Sequence, residues 1–285
     1  MKKILICQPY LCGLTDILCQ IGHCIKYCQD YDRKLIIDTR SWSGMRSNFS
    51  DYFIINTDRD FIQLSVDDEE ITLLGKQNKE LLVEELKIDI DFTKNHSEDV
   101  LVHRSWGNGL ESILYALSFF KLQPKLAISI KNKLKLMPND YCSVYIRNTD
   151  YKTAYKELFD QIKSEIGDRY LLICTDDYGV IEYAKNIFPK LIFNEDIINN
   201  AIPALSLMNR MQTHLDKDKV NVNAITDLIL GASSMKLYPS FLNSFESCES
   251  YEKNVQFPKN TQSGFVTLGI HLNQNKKIID DLLLP

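Results

Sequence analysis

The chain has 285 residues, enough for one large domain or two medium ones, each with its own core. With 45% hydrophobic and 25% charged residues it fits an ordinary globular protein, and a formal charge of −5 argues against nucleic acid as the main partner. No run approaches the roughly 18 apolar residues of a membrane span, and the opening MKKILICQPYLCG breaks at Gln8-Pro9 too early for a signal peptide, so the chain reads as cytoplasmic.

Short apolar runs alternate with helical patterns, the signal for α/β units and parallel sheets. KILIC (3–7) reads as a strand and 14–28 as a helix after a Cys-Gly turn. Ile17, Ile21, Cys24 and Cys28 recur at the spacing of one buried helical face, which assigns the crowded early cysteines to packing rather than to metal. No zinc-type spacing is present, so no metal site is expected. LIID (35–38) is a second strand; DYFII and FIQLSV are short runs between turns. ITLLG (71–75) reads as a strand, KELLVEELK (79–87) as a helix, and DVLVH (99–103) as a strand. The turn SWGNG and a helix ESILYALSFFKL follow.

PKLAISIKNKLKLM forms a helix that Pro138-Asn139-Asp140 ends, and the pattern then restarts. YCSVYI is a strand, TAYKELFDQIKSEI a helix, YLLICT a strand, YGVIEYAKNIF a helix and KLIFN a strand. An irregular stretch, 195–219, precedes a helix at 221–232, the strand MKLYP and a helix opened by SFLNSFESCES. The terminal NKKIIDDLLL is an amphipathic helix able to pack back on the first half. Two Rossmann-like domains are expected, 1–137 and 138–285.

In a doubly wound sheet, ligands bind beyond the carboxyl ends of the strands. Three strand exits of the second half carry polar groups: Arg147-Asn148-Thr149-Asp150, Thr175-Asp176-Asp177, and Ser240 with Asn243-Ser244. An arginine there can give two parallel hydrogen bonds to phosphate oxygens, and Asp150 can hold its rotamer or cap the next helix. Each feature alone also fits a surface ion pair or a helix cap; their convergence on one candidate domain favours a ligand cleft. Arginine is scarce, occurring eight times, which sharpens Arg147 as a candidate. In the first half, His103 and Trp106 follow a strand and precede a helix. There Trp106 either cradles a sugar ring or anchors the loop. The stretch RSWSGMRS (40–47) is an acceptor loop or a solvated one.

The order IRNTD, LLICTDD and ITDLILGASSMKLYPSFLNSF resembles the C-terminal blocks of the fucosyltransferase superfamily, which includes bacterial α-1,2- and α-1,6-, nodulation and protein O-fucosyltransferases. The first block, approximately His-x-Arg-x-x-Asp, falls on Tyr145–Asp150. The second falls on Thr175–Asp177, and the third on Asp227 and Ser240–Phe245. The Gly-Leu-Gly-Asn-like opening loop corresponds to Gly13-Leu14-Thr15-Asp16. The sequence departs from the pattern where histidine becomes Tyr145 and Gly-Asn becomes Thr15-Asp16.

The resemblance implies a GT-B glycosyltransferase, inverting and metal-independent, with no cofactor and with GDP-fucose as donor. It places Arg147 on the donor's β-phosphate, Ser244 on the diphosphate and Asp227 toward the guanine. It leaves Asp176 and Asp177 to shape the cleft, with Gly13, Tyr145, Asp150, Ser240, His103 and Trp106 lining it. Asp16 is the preferred base for the acceptor hydroxyl, ahead of Glu111 and His103. The acceptor side falls in the first domain, and the acceptor is a glycan of a surface polysaccharide or lipid-linked oligosaccharide. Peripheral association with a membrane stays open. The rival readings are a GT-B transferase using another nucleotide sugar and a non-catalytic nucleotide- or sugar-binding module. A P-loop enzyme loses its support because GxxxxGK[ST] is missing.

Overall fold

The computed structural model describes residues 3–9, 13–40, 44–56, 59–66, 81–83, 90–105, 109–148, 151–194, 216–245, 255–256 and 261–284. Two compact units emerge: Met1–Ala127 with Leu282–Pro285, and Ile128–Asp281. Among the described residues no helix is long and apolar enough to cross a membrane.

The first unit is built on a parallel five-stranded sheet. Its strands are β1 (Ile4–Cys7), β2 (Lys34–Ile37), β4 (Ile62–Gln63), β5 (Leu81–Val83) and β6 (Val100–His103), in the order β4-β2-β1-β6-β5. The central strands are continuous apolar runs because both faces of such a sheet are covered. Helix α1 (Leu14–Asp30) buries Ile17, Ile21, Cys24 and Cys28 as the periodicity requires, together with Leu14, Leu18 and Ile25. It packs closely on α2 (Leu110–Leu117): a Cβ on Gly22 would stand 2.1 Å from the Ser112 carbonyl oxygen, so only glycine fits there. Cys7, Cys19, Cys24, Cys28, Cys142 and Cys174 are all buried.

Two expectations are corrected in this unit. Leu81–Val83, inside the expected 79–87 helix, pair with β6 as a strand. The helix expected through Leu122 stops at Leu117, and Phe120–Leu122 form β7, antiparallel to β3 (Phe53–Ile55). An aromatic cluster overrides the local helical pattern: Phe49 stacks on Phe53 at 4.5 Å and meets Phe120 edge-on at 5.1 Å.

The second unit has a parallel sheet ordered β11-β10-β8-β12, comprising β8 (Cys142–Ile146), β10 (Leu171–Thr175), β11 (Leu191–Phe193) and β12 (Lys236–Tyr238). Alternation along β8 splits its side chains. Cys142, Val144 and Ile146 face α4 (Tyr155–Ile166) and α5 (Tyr178–Lys185), packing with Phe159, Ile162, Val180 and Ala184. Tyr141 and Tyr145 face α6 (Lys217–Ser233) and α7 (Gly264–Gln274), packing with Leu230 and Val266. The helix α3 (Pro124–Leu136) precedes β8, and α8 (Lys276–Leu283) closes the chain. Beside the main sheet, β9 (Tyr151–Thr153), β13 (Leu242–Phe245) and β14 (Val255–Gln256) form an antiparallel ribbon ordered β14-β13-β9. The helix expected to open at SFLNSF is therefore a strand there, because its backbone pairs with the chain just beyond Arg147.

Candidate functional site

The second sheet reverses direction between β8 and β12: the chain steps outward to β11 and returns on the other side of β8. Such a switch point opens a crevice at the carboxyl ends of the two strands. The residues leaving those ends are Arg147 and Ser240. Tyr238 pairs with Val144 as the last rung of that ladder, and Ser240 follows two residues beyond it, past the end of the strand beside β8. Arg147 is half-buried, and its carbonyl accepts a 2.6 Å hydrogen bond from Thr153 Oγ1. Ser240 is 1% exposed, and its Oγ finds no hydrogen-bond partner among the described residues. A buried hydroxyl left without a partner is costly, and such groups concentrate where a ligand completes the bonding.

Asn148, given no role by the sequence reading, organises this exit. Its backbone N–H donates to Asp176 Oδ1 at 2.7 Å, and its Nδ2 donates to Asp177 Oδ2 at 2.6 Å. Its Oδ1 accepts from the Thr153 N–H at 3.3 Å. Asp177 in turn caps α5 through the Gly179 N–H at 2.8 Å and receives support from Thr175 Oγ1, which accepts from the Asp177 N–H. The β8 and β10 exits are thus tied together immediately after Arg147, with Asp176 and Asp177 as the anchors. Position 148, immediately after the arginine, carried the signal: an amide that both donates and accepts is suited to bridging two loops.

Asp227 lies on α6, and Cys174 Sγ at the end of β10 donates to its backbone oxygen at 3.5 Å. Its carboxyl keeps some open surface, yet the surrounding protein removes enough water to push its pKa up to about 7, with Lys133 acting in the opposite sense. Between its ordinary 3.8 and about 7 the unfolded chain has lost a proton that the folded chain keeps. Stability from this group therefore falls as pH rises through that window and stays low above it. Asp227→Asn is expected to stabilise the fold above pH 7, the gain vanishing toward pH 3.8, as read by urea denaturation across the range.

Two expected site residues belong to the core instead. Tyr145 is 2% exposed, and its hydroxyl donates to the Leu228 carbonyl at 2.5 Å; it lies on the α6–α7 side of the sheet and is not available to a ligand. Loss of water raises its pKa well above the ordinary value. His103 is also 2% exposed, with Nε2 2.7 Å from Gln20 Oε1 and its ring edge-on to Phe92 at 5.0 Å, which removes it as an acceptor base. Trp106 and Asp150 lie outside the described residues. Ser244 is described through its backbone, where it pairs with Gln256 and Lys152.

In the first unit Gly13 is the N-cap of α1 and Asp16 sits half-exposed in its first turn. The switch point there lies between β1 and β6, and a polar relay spans the neighbouring exits. Arg104 Nε donates to Gln8 Oε1 at 2.8 Å, and Gln8 Nε2 donates to Asp38 Oδ2 at 2.9 Å. Asp38 Oδ1 pairs with Arg40 Nε at 3.0 Å. Gln8 and Asp38 are 4% and 3% exposed, so the relay is built into the sheet edge. The sequence signal was again a polar residue directly behind each apolar run. Among the described residues no three His, Cys, Asp or Glu side chains group as a metal centre would.

Neither family models nor curated protein sequences match the chain. Its fold matches solved structures. NodZ α-1,6-fucosyltransferase co-crystallised with GDP superposes with a TM-score of 0.55 at 14% identity, covering 94% of this chain and 92% of that one. Fucosyltransferase NodZ from Bradyrhizobium gives 0.56 at 14% identity over the same shares. A mutant of Arabidopsis thaliana FUT1 in complex with GDP gives 0.51 at 10% identity, covering 83% of this chain and 65% of the other. The chain has the mixed α/β, GT-B-like fold of these fucosyltransferases.

Proposed function

We propose that the protein is a glycosyltransferase that moves fucose from GDP-fucose to a glycan acceptor, with inversion and without a metal. The observation that carries this reading is the second unit's switch point, where Arg147 leaves β8 and the adjacent strand leads to Ser240, whose buried hydroxyl finds no partner among the described residues, in a fold shared with fucosyltransferases. NodZ has been solved with GDP and after soaking with GDP-fucose, which supports the same nucleotide here.

The chemistry follows from charge. The acceptor oxygen attacks the anomeric carbon, and the bond to the diphosphate breaks with its electron pair leaving on the phosphate oxygen. The acceptor proton passes to a base, for which Asp16 remains the candidate. Negative charge grows on the leaving oxygen, so a guanidinium already in place stabilises the transition state more than the ground state. Arg147 supplies that charge, Ser240 supplies a hydroxyl donor, and Asn148 holds the backbone from which Arg147 projects. Asp227 and the backbone of Ser244 stand for the guanine and diphosphate contacts.

Thermal unfolding in GDP, UDP, CMP and ADP tests the donor. GDP alone is expected to raise the midpoint, by the equivalent of about 2.7 kcal/mol at a hundredfold excess over its Kd. Selectivity for UDP or CMP would replace fucose chemistry with another nucleotide sugar, and indifference to all four would remove the site.

A further inference from the structure

Between Glu111 and Asp140 the chain carries no carboxylate and five lysines, at 121, 125, 131, 133 and 135, although the protein as a whole is acidic at −5. Four of the five lysines lie on α3. At 100° per residue, Leu126, Ala127 and Ile130 fall on its buried side, while Lys125, Ile128, Asn132, Lys133, Lys135 and Leu136 share the side open to solvent. Ile128 is 59% exposed and Leu136 is 85% exposed. Met235, 51% exposed, lies close in the fold to the chain just past the helix, its N–H donating to the Tyr141 carbonyl at 3.0 Å.

A helix face meant only for water would carry both signs of charge, with acids pairing lysines at one-turn spacing. This one carries a single sign and sets bare aliphatic side chains among the lysines. The lysine stems can lie along an apolar layer while their ammonium groups stay in the polar region above it. Nucleic acid is a poor match, because the face offers neither arginine nor an aromatic platform. The electrostatic neighbour of the patch is Asp227, on which Lys133 acts, and it belongs to the next helix rather than to this face.

We infer that the exposed face of α3 docks on an anionic membrane surface, with Lys125, Lys133 and Lys135 at the phosphate headgroups and Ile128 and Leu136 at the edge of the acyl layer. Three lysines and two aliphatic side chains give reversible, salt-sensitive attachment rather than an anchor. The inference does not depend on the catalytic reading.

Co-sedimentation of the full chain with vesicles tests it. Binding is expected to phosphatidylcholine vesicles containing phosphatidylglycerol, to weaken in high salt, and to be lost on phosphatidylcholine alone. The variant K125Q/K133Q/K135Q is expected to bind about a hundredfold more weakly, since each lysine near an anionic surface contributes about fivefold. Leu136→Ser, an exposed change that leaves folding intact, is expected to weaken binding without altering its salt dependence. Equal binding to both vesicle types, or binding that survives loss of the three lysines, overturns the inference. Failure on vesicles with salt-sensitive capture by polyglutamate also overturns it and assigns the face to an acidic protein.

Discussion

Arg147→Ala is expected to lower the rate of fucosyl transfer about 10²–10³-fold, the usual loss when one preorganised donor to a developing anion is removed. The melting temperature should stay within a few degrees. Arg147 is half-buried, and Asn148, Asp176, Asp177 and Thr153 hold the loop around it through hydrogen bonds that the substitution leaves in place. Arg147→Lys should recover only part of the rate, since an ammonium keeps the charge but not the two-pronged geometry. Asn148→Ala gives the complementary pattern. It strips a half-buried bridge between two strand exits, so stability drops by about 1 kcal/mol and the rate falls because the arginine is no longer aimed. Turnover assays with GDP-fucose, paired with calorimetry, separate the two residues. Unchanged turnover in Arg147→Ala removes the leaving-group role.

The strands of the second sheet were legible because each is an apolar run bounded by polar punctuation, and the same punctuation exposed Arg147, Thr175–Asp177 and Ser240 as exits on one edge. The failures share a cause. Leu81–Val83, Phe120–Leu122 and Leu242–Phe245 are too short for periodicity to decide, and each becomes a strand only through a partner distant in sequence. Helix α7 was not read from the sequence, because its buried face includes Gly269, which weakens the apolar stripe of Val266, Leu268 and Leu272. Tyr145 was misplaced for a related reason. A parallel strand covered on both faces is apolar on both, so alternation alone does not say which residues face a ligand edge and which face a helix. Histidine in the resembled motif suggested the former; the tyrosine here is a core residue. The Gln8–Asp38 relay escaped notice because its members follow strands far apart in the sequence, and only the sheet order brings them together.

Tyr145 explains two glycines, and that gives the largest stability effect expected of a single side chain here. A Cβ on Gly231 would stand 2.4 Å from the tyrosine hydroxyl oxygen, and one on Gly269 would stand 2.2 Å from the ring's Cε2. Both helices therefore carry a notch into which the ring fits. Tyr145→Ala empties the notches and removes the donor to the Leu228 carbonyl, at an expected cost of about 3–5 kcal/mol. Gly269→Ala should itself cost about 1–3 kcal/mol by overpacking. In a Tyr145→Leu background the same alanine meets a shorter side chain, so its cost should shrink toward zero. Chemical denaturation of the four proteins in this cycle measures the coupling. A cost for Gly269→Ala that is the same in both backgrounds would mean that the ring is not what the glycine accommodates. Because Arg147 follows Tyr145 by two residues on the same strand direction, a ring displaced by Gly269→Ala should also misalign the guanidinium. Activity is then expected to fall further than stability alone accounts for, which links the packing of the core to the aim of the charge at its edge.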